Sequence, residues 1–204
     1  MTSSAIRETF TLNILEWKPW LERVLDTDIP DETRSRIIDA IGTAPNSDYI
    51  LVLANDFEAW RTRNVVHRHV YSDDSKAATA RRELGATTAS RINGCVFCAS
   101  VHARMYAAAS KRRDLAQLFL DDGVDAALPE PERSVVDLAA KVTTNPESLS
   151  AADLKPLRDQ GLSDQEILDV INYAAFFANA NRLMLSLGGP VSEAEWIDGP
   201  DTNR

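Results

Sequence analysis

The sequence predicts an all-α, single-domain bundle of about eight helices, and three observations favour this fold class. Apolar residues recur at three- and four-residue spacing in most segments. Helix-capping and helix-stopping signals follow one another along the chain, including a capping box at residues 163–166 that opens the longest C-terminal helix. Strand signals are sparse, because no segment sustains a period-two alternation of apolar and polar residues.

Glycines separate several of the predicted helices. Gly42 ends the first helix, and Gly94 ends the helix that precedes the two cysteines, at the position just past a helix where glycine is favoured. Gly161 closes the helix that begins near Ser150, and Gly188 ends the last helix. The predicted helices span residues 31–41, 47–63, 73–93, 95–110, 114–121, 132–142, 150–160 and 163–187.

The chain divides into three parts within one domain. Residues 71–190 form the predicted core, residues 1–70 a helical extension packed on that core, and residues 191–204 a polar tail. Within the extension, Trp17 and Trp20 lie in an irregular segment that we expect to cover part of the protein. A chain of 204 residues buries about 70% of the surface that it exposes when unfolded, so this fold needs neither a disulfide nor a metal for stability.

Composition argues against several classes of function. The formal net charge is -9, whereas phosphate contacts require a clustered basic face, so we do not expect nucleic-acid binding. No stretch approaches the ~18 consecutive apolar residues of a membrane span. The first residues also lack the basic and apolar regions of a signal peptide. We therefore expect a cytoplasmic protein that does not contact a membrane.

The two cysteines form a CxxC motif at the start of a predicted helix. Cys95, Cys98 and His102 are three and four residues apart, which places them on one helical face. Free backbone amides and the helix dipole at that end stabilise a thiolate, the nucleophilic form of cysteine. An oxidised thiol can condense with its neighbour to form a disulfide. The motif therefore predicts a thiol-redox centre, and specifically a peroxidase that acts on small hydroperoxides.

The residues alone leave open which cysteine attacks the peroxide. The helix N-terminus favours Cys95 as the more acidic thiol, whereas the imidazole one turn away favours Cys98. His102 can remove the thiol proton and return it to the departing oxygen. Glu83 lies on the preceding helix, and it can orient His102 if the two helices pack antiparallel across the turn at Gly94.

The spacing of these four residues resembles the active-site pattern of the alkyl hydroperoxidase D-like (AhpD-like) proteins of the carboxymuconolactone decarboxylase superfamily. Glu83 is followed after eleven residues by Cys95, and then by Cys98 and His102. The resemblance implies an all-helical fold that assembles as trimers or hexamers and reduces alkyl hydroperoxides without haem, metal or another cofactor. It assigns peroxide attack to Cys98, resolution to Cys95 and a proton relay to Glu83 and His102. An external dithiol or protein reductant must regenerate the pair, and Phe97 stands where the founding member has a histidine.

Other interpretations of the motif fit the sequence less well. Structural zinc needs four ligands, and besides His102 only His67 and His69 remain as histidines, which we expect on a polar surface near a subunit contact. Haem attachment needs a histidine where Ala99 stands, and a thioredoxin-like motif needs a βαβ context. Two functional alternatives stay open: lactone chemistry like that of carboxymuconolactone decarboxylases, and a non-enzymatic CxxC redox sensor.

Overall fold

The computed structural model describes residues 10–41, 47–70 and 76–191, and these ranges are mostly helical. The α-helices of the described ranges are nine: α1 (Asp31–Ile41), α2 (Asp48–Leu53), α3 (Phe57–Val70), α4 (Lys76–Ile92), α5 (Val96–Ser110), α6 (Arg113–Asp122), α7 (Glu132–Thr144), α8 (Ala151–Asp159) and α9 (Asp164–Leu187). Two short antiparallel strands, β1 (Glu16–Pro19) and β2 (Gly188–Val191), pair with each other. The fold is the all-α bundle that the sequence predicts. In the described ranges, no helix is long and apolar enough to cross a membrane.

The helix beyond the predicted eight arises because the segment predicted as one helix over 47–63 is interrupted. α2 ends at Leu53, and the side chain of Asn55 donates a hydrogen bond to the backbone carbonyl of Val52. Asp56 then accepts a hydrogen bond from the backbone N–H of Ala59 and opens α3. Local side-chain hydrogen bonds of this kind compete with helix continuation, and apolar periodicity does not reveal them.

α4 lies at the centre of the bundle and packs against α5, α7 and α9. Its residues 82–90 are all buried. Small residues permit this close packing: Ala86 is fully buried, and a Cβ atom added at Gly85 would lie 3.4 Å from the Val170 side chain of α9. As a result, Glu83 is carried into the middle of the protein, where it meets α5.

The two C-terminal helices begin where their capping signals predict. Ser150 and Asp153 form a capping box at α8, and Ser163 and Glu166 form one at α9. Gly161 lies between the two helices with a φ of 86°, in the left-handed region that glycine adopts without strain. These local signals fix where α9 starts, and hence which of its residues face α4 and α5.

The strand pair is the element that the sequence does not indicate. β1 and β2 come from opposite ends of the described chain, and each has four residues including a proline, so neither shows the alternation that predicts a strand. The Trp17 ring lies so close to Gly188 that a Cβ atom there would approach it to 2.3 Å. Pairing of the strands therefore depends on glycine at this position, and it holds Trp17 against both cysteines.

The N-terminal extension packs a small hydrophobic cluster of its own. The buried members of this cluster are Val24, Ile37, Leu51, Ala54 and Trp60. The main core lies in α4 to α9, where α4, α7 and α9 pack together. The predicted tail, residues 191–204, lies outside the described residues apart from Val191.

Candidate active site

A buried carboxylate–imidazole pair joins α4 to α5. Oε2 of Glu83 lies 2.7 Å from Nδ1 of His102, and the two residues are 0% and 4% exposed. The helices meet across the turn at Gly94, whose φ of 76° suits glycine, and this packing places Glu83 against His102 as the sequence predicts. When Nδ1–H donates to the carboxylate, Nε2 is the ring nitrogen that remains for proton transfer.

Both cysteines lie at the start of α5, and no disulfide joins them. Cys95 is the residue that precedes the first turn of the helix, and its Sγ atom lies 2.7 Å from Sγ of Cys98. The two residues are 2% and 6% exposed. The sulfurs are therefore close enough to form a disulfide with a small change in side-chain torsion, in a site that largely excludes bulk water.

The two thiols differ in acidity. The hydrogen bond with the Cys98 thiol, aided by the backbone N–H of Cys98, lowers the pKa of Cys95 in spite of burial. The same sulfur–sulfur hydrogen bond, together with burial, raises the pKa of Cys98 well above its usual value. The first negative charge of the pair thus resides on Cys95 while Cys98 keeps its proton. This distribution agrees with the helix-terminus argument from the sequence rather than with the imidazole argument.

Within the described ranges, no hydrogen bond joins His102 to either thiol. The spacing of Cys98 and His102 predicts such a bond, but two other contacts fix the imidazole. Glu83 binds Nδ1, and the Phe177 ring packs against the imidazole edge to face, with the ring centroids 3.9 Å apart. Proton transfer between Cys98 and His102 therefore requires an approach of the two groups or an intervening oxygen atom of substrate or water.

Asn181 is a site residue that motif analysis misses. It is fully buried on α9, and its amide acts to lower the pKa of both thiols. Its orientation is fixed because Oδ1 accepts a hydrogen bond from Asn93 at 3.1 Å and Nδ2 donates one to Ser90 Oγ at 3.0 Å. The amide nitrogen therefore has a second N–H that can donate to a sulfur. The signal available in the sequence is a polar residue in helical register with the inward-facing Ala174 and Ala178.

Aromatic side chains from the N-terminal extension cover the thiols. Trp17 of β1 and Tyr49 of α2 pack with Met184 of α9 in one cluster that includes both cysteines. The indole N–H of Trp17 donates to the Met184 carbonyl at 3.2 Å, and the Trp17 and Tyr49 rings meet edge to face with centroids 5.8 Å apart. A cavity of about 350 Å³ lies beside this cover and is lined in part by Trp17, Tyr49 and Phe97. Its volume suits a small organic molecule.

α3 contributes two further residues near the site. The Arg63 guanidinium lies over the rings of Tyr49 and Phe176, at 5.6 and 4.8 Å from their centroids. His67 packs against Phe176, and burial, followed by the charges of Arg63 and His102, lowers the pKa of His67 to about 4. The sequence predicts a polar surface here, but His67 is half-buried and close to His102 because α3 packs on α9.

Comparisons with known proteins identify a family match and two similar structures. Residues 59–121 match the carboxymuconolactone decarboxylase family. The chain is 25% identical to an uncharacterized peroxidase-related protein from Ralstonia eutropha JMP134, described as an alkylhydroperoxidase AhpD core, with a TM-score of 0.66 over 86% of this chain and 90% of that one. It is also 25% identical to an uncharacterized peroxidase-related protein from Silicibacter sp. TM1040, with a TM-score of 0.68 over 86% of this chain and 95% of the other. No curated protein matches the chain.

The family match and the structural matches cover different lengths of the chain. The family match contains all four residues of the motif, from Glu83 to His102. The two structural matches extend the likeness over most of the chain, including most of the N-terminal extension that covers the thiols. On these grounds residues 59–121 fall within the carboxymuconolactone decarboxylase family, and the chain has the fold of the two peroxidase-related structures, one of which is described as an AhpD core.

Proposed function

We propose that this protein is a thiol-dependent peroxidase, an oxidoreductase that reduces alkyl hydroperoxides or hydrogen peroxide through a Cys95–Cys98 dithiol–disulfide cycle. One observation carries the proposal: two unbonded thiols 2.7 Å apart share a buried region with a hydrogen-bonded carboxylate–imidazole pair. The thiols supply the two electrons that peroxide reduction requires, and Glu83 with His102 supplies the proton transfers. The likeness to two peroxidase-related proteins favours the same assignment.

In the first step Cys98 is the attacking thiol, the role that the resemblance to the AhpD-like proteins assigns to it, although it is the less acidic of the two. His102 takes its proton through an intervening oxygen of substrate or water, and the sulfur attacks the peroxide oxygen that carries the hydrogen. A sulfur–oxygen bond forms and the O–O bond breaks, and the departing alkoxide takes the proton from the imidazolium. The products are a sulfenic acid on Cys98 and an alcohol. Glu83 stabilises the transient imidazolium through the hydrogen bond to Nδ1.

In the second step Cys95 resolves the sulfenic acid. Its thiolate attacks the Cys98 sulfur, and the disulfide forms as the sulfur–oxygen bond breaks. Hydroxide leaves as water after it takes up the proton that Cys95 lost on ionisation. The lowered pKa of Cys95 suits this role, because a larger fraction of this cysteine is thiolate at a given pH. The Asn181 amide supports the negative charge on the sulfur.

The cycle requires a partner that returns two electrons. Because Trp17 packs over both cysteines, a small dithiol or a protein reductant must reach the disulfide past this cover. The proposal includes a homo-oligomer, trimer or hexamer, in the cytoplasm. Sedimentation of a monomer at micromolar concentration would contradict that assembly.

The test is a single-turnover reaction of the reduced protein with one equivalent of cumene hydroperoxide and a sulfenic-acid trapping reagent. In the wild-type protein we expect both free thiols to disappear as the disulfide forms. Cys95→Ser should give a trapped adduct on Cys98, and Cys98→Ser should give none. In steady state with a strong dithiol, each variant should lose activity by about 10³-fold, because it lacks either the nucleophile or the resolving thiol.

Each other outcome points to a different conclusion. An adduct that forms only on Cys95 would reverse the roles of the two cysteines. If the reduced protein consumes no peroxide and forms no disulfide, the peroxidase assignment is wrong. Lactone decarboxylation that survives in the double Cys→Ser variant would indicate the chemistry of the family's name. Slow oxidation with oxidation-dependent binding to another protein would indicate a redox sensor.

A further inference from the structure

Arg63 is a cation with no carboxylate partner in the described part of the chain. Arg23, by contrast, is paired with Asp48 at 2.9 Å. Arg63 instead lies over the aromatic rings of Tyr49 and Phe176, and its Nε atom is buried without an acceptor. A guanidinium carries a permanent charge and five N–H donors, and a buried N–H without an acceptor is costly. The side chain is therefore placed to receive an anionic group.

Tyr49 adds a second buried polar atom next to Arg63. Its hydroxyl lies within hydrogen-bonding reach of the Arg63 side chain, and as a phenol it can still donate its own proton. Its ring packs in the cluster that contains Cys95 and Cys98, and the charges of Arg63 and of both thiols influence the pKa of its hydroxyl. Burial raises the pKa of Tyr49 to about 12, so the hydroxyl keeps its proton and can donate a hydrogen bond. Tyr49 thus links Arg63 to the reacting sulfurs.

His67 connects the same wall of the site to His102. His67 lies one helical turn after Arg63 on α3, and both side chains contact the Phe176 ring. The Phe176 ring under Arg63 meets the Phe177 ring edge to face, and Phe177 packs on the His102 imidazole. These contacts place Arg63 on the side of the site where His102 lies. His67 is uncharged at neutral pH, so its own ring does not compete with Arg63 for an anion.

We propose that Arg63 binds a carboxylate of the hydroperoxide substrate while the Tyr49 hydroxyl donates a hydrogen bond to the peroxide group at Cys98. The preferred substrates are then organic hydroperoxides that carry a carboxylate. The guanidinium lies 5.6 Å from the centroid of the Tyr49 ring, and this ring packs against the cluster that holds the thiols. The spacing suits a carboxylate about one ring's length from the peroxide. This inference rests on the proposed peroxidase function and leaves its bond changes and electron transfers as described above.

The experiment compares cumene hydroperoxide with its para-carboxylate, two substrates of nearly the same shape. For wild-type protein we expect kcat/KM to be about 10- to 100-fold higher for the carboxylated peroxide, the effect of a charge-assisted hydrogen bond. Arg63→Gln should bring this ratio close to one, and Arg63→Lys should retain part of it. Arg61→Gln is the matched control: it changes an exposed arginine of the same helix that pairs with Glu58, and the wild-type ratio should persist.

Calorimetry with the two product alcohols separates this inference from the peroxidase proposal, because binding requires no turnover. The carboxylated alcohol should bind wild-type protein about 10-fold or more tightly than the neutral alcohol, and Arg63→Gln should remove the difference. Equal affinities for the two alcohols, or an unchanged ratio in Arg63→Gln, would refute the carboxylate site even if both peroxides are reduced. Carboxylate-selective binding that depends on Arg63, without turnover of either peroxide, would support the binding site and refute the peroxidase.

Discussion

The two walls of the candidate active site are built in different ways. The core wall, from α4, α5 and α9, orders its reactive side chains by hydrogen bonds: Glu83 Oε2 holds His102, and the two thiols bond to each other. Glu83 Oε1 is buried there without a partner in the described ranges. The outer wall, from β1, α2 and α3, consists mainly of aromatic rings. Its Arg63 Nε atom is buried without an acceptor in the described ranges, and its Tyr49 hydroxyl is buried beside Arg63.

This difference suggests that the core wall governs the chemical steps and that the outer wall governs access to the thiols. Buried polar groups that are joined to one another hold a geometry, whereas buried polar groups without partners call for an explanation, and a ligand is one. We therefore expect substitutions in the core wall to change the rates of the chemical steps. Substitutions in the outer wall should change the exposure of the thiols and the choice of substrate.

The largest expected effect belongs to Glu83→Gln in the core wall. The amide keeps the shape of the carboxylate but cannot stabilise the imidazolium that forms when His102 takes a proton, so kcat/KM should fall by about 10²- to 10³-fold. Stopped-flow kinetics should place the loss in sulfenic-acid formation and leave disulfide formation unchanged. Glu132→Gln is the control. Like Glu83, Glu132 is hydrogen-bonded to a residue of α5, because it accepts a hydrogen bond from Tyr106. A loss in Glu83→Gln no larger than in this control would remove the imidazole from the mechanism.

The core wall could be predicted from the sequence, and the outer wall could not. Helical periodicity places both cysteines and the histidine on one face, and the short turn at Gly94 brings Glu83 to them; these are local relations. Asn181 reaches the thiols only when α9 packs on α4, and its position in an apolar helix face is a weak signal. Trp17 and Arg63 reach the site through pairing of distant strands and packing of α3 on α9. No local sequence motif indicates such contacts between distant segments.

In the outer wall, Trp17→Ala should have the next largest effect. Truncation of a buried tryptophan costs about 3–5 kcal/mol of stability, and here it also uncovers both cysteines. We expect the rate of thiol alkylation by iodoacetamide to rise by about 10-fold or more in the folded protein. Trp20→Ala is the control, because Trp20 is 60% exposed and lies three residues away. Equal alkylation rates in the two variants would show that Trp17 does not limit access.

A smaller effect is expected for Asn181→Ala in the core wall. The pKa of Cys95 is below its ordinary value, so its alkylation should proceed at pH values where an ordinary cysteine is protonated. Loss of the amide hydrogen bond should move the midpoint of alkylation to higher pH, by at most about one pH unit for a single hydrogen bond. Asn179→Ala, at an exposed position of the same helix, should leave the midpoint unchanged. A common midpoint for both variants would show that Asn181 does not contact the thiolate.

The smallest expected effect is spectroscopic and concerns His67 in the outer wall. Burial, followed by the charge of Arg63, lowers the pKa of His67 to about 4, so its imidazole should titrate by NMR far below the ordinary midpoint near 6.5. His67→Gln identifies the resonance. Arg63→Gln should raise the midpoint toward the ordinary value, because one of the two neighbouring charges is removed while burial remains. A midpoint near 6.5 that Arg63→Gln does not change would place the guanidinium away from His67. Arg63 would then not belong to the outer wall of the site.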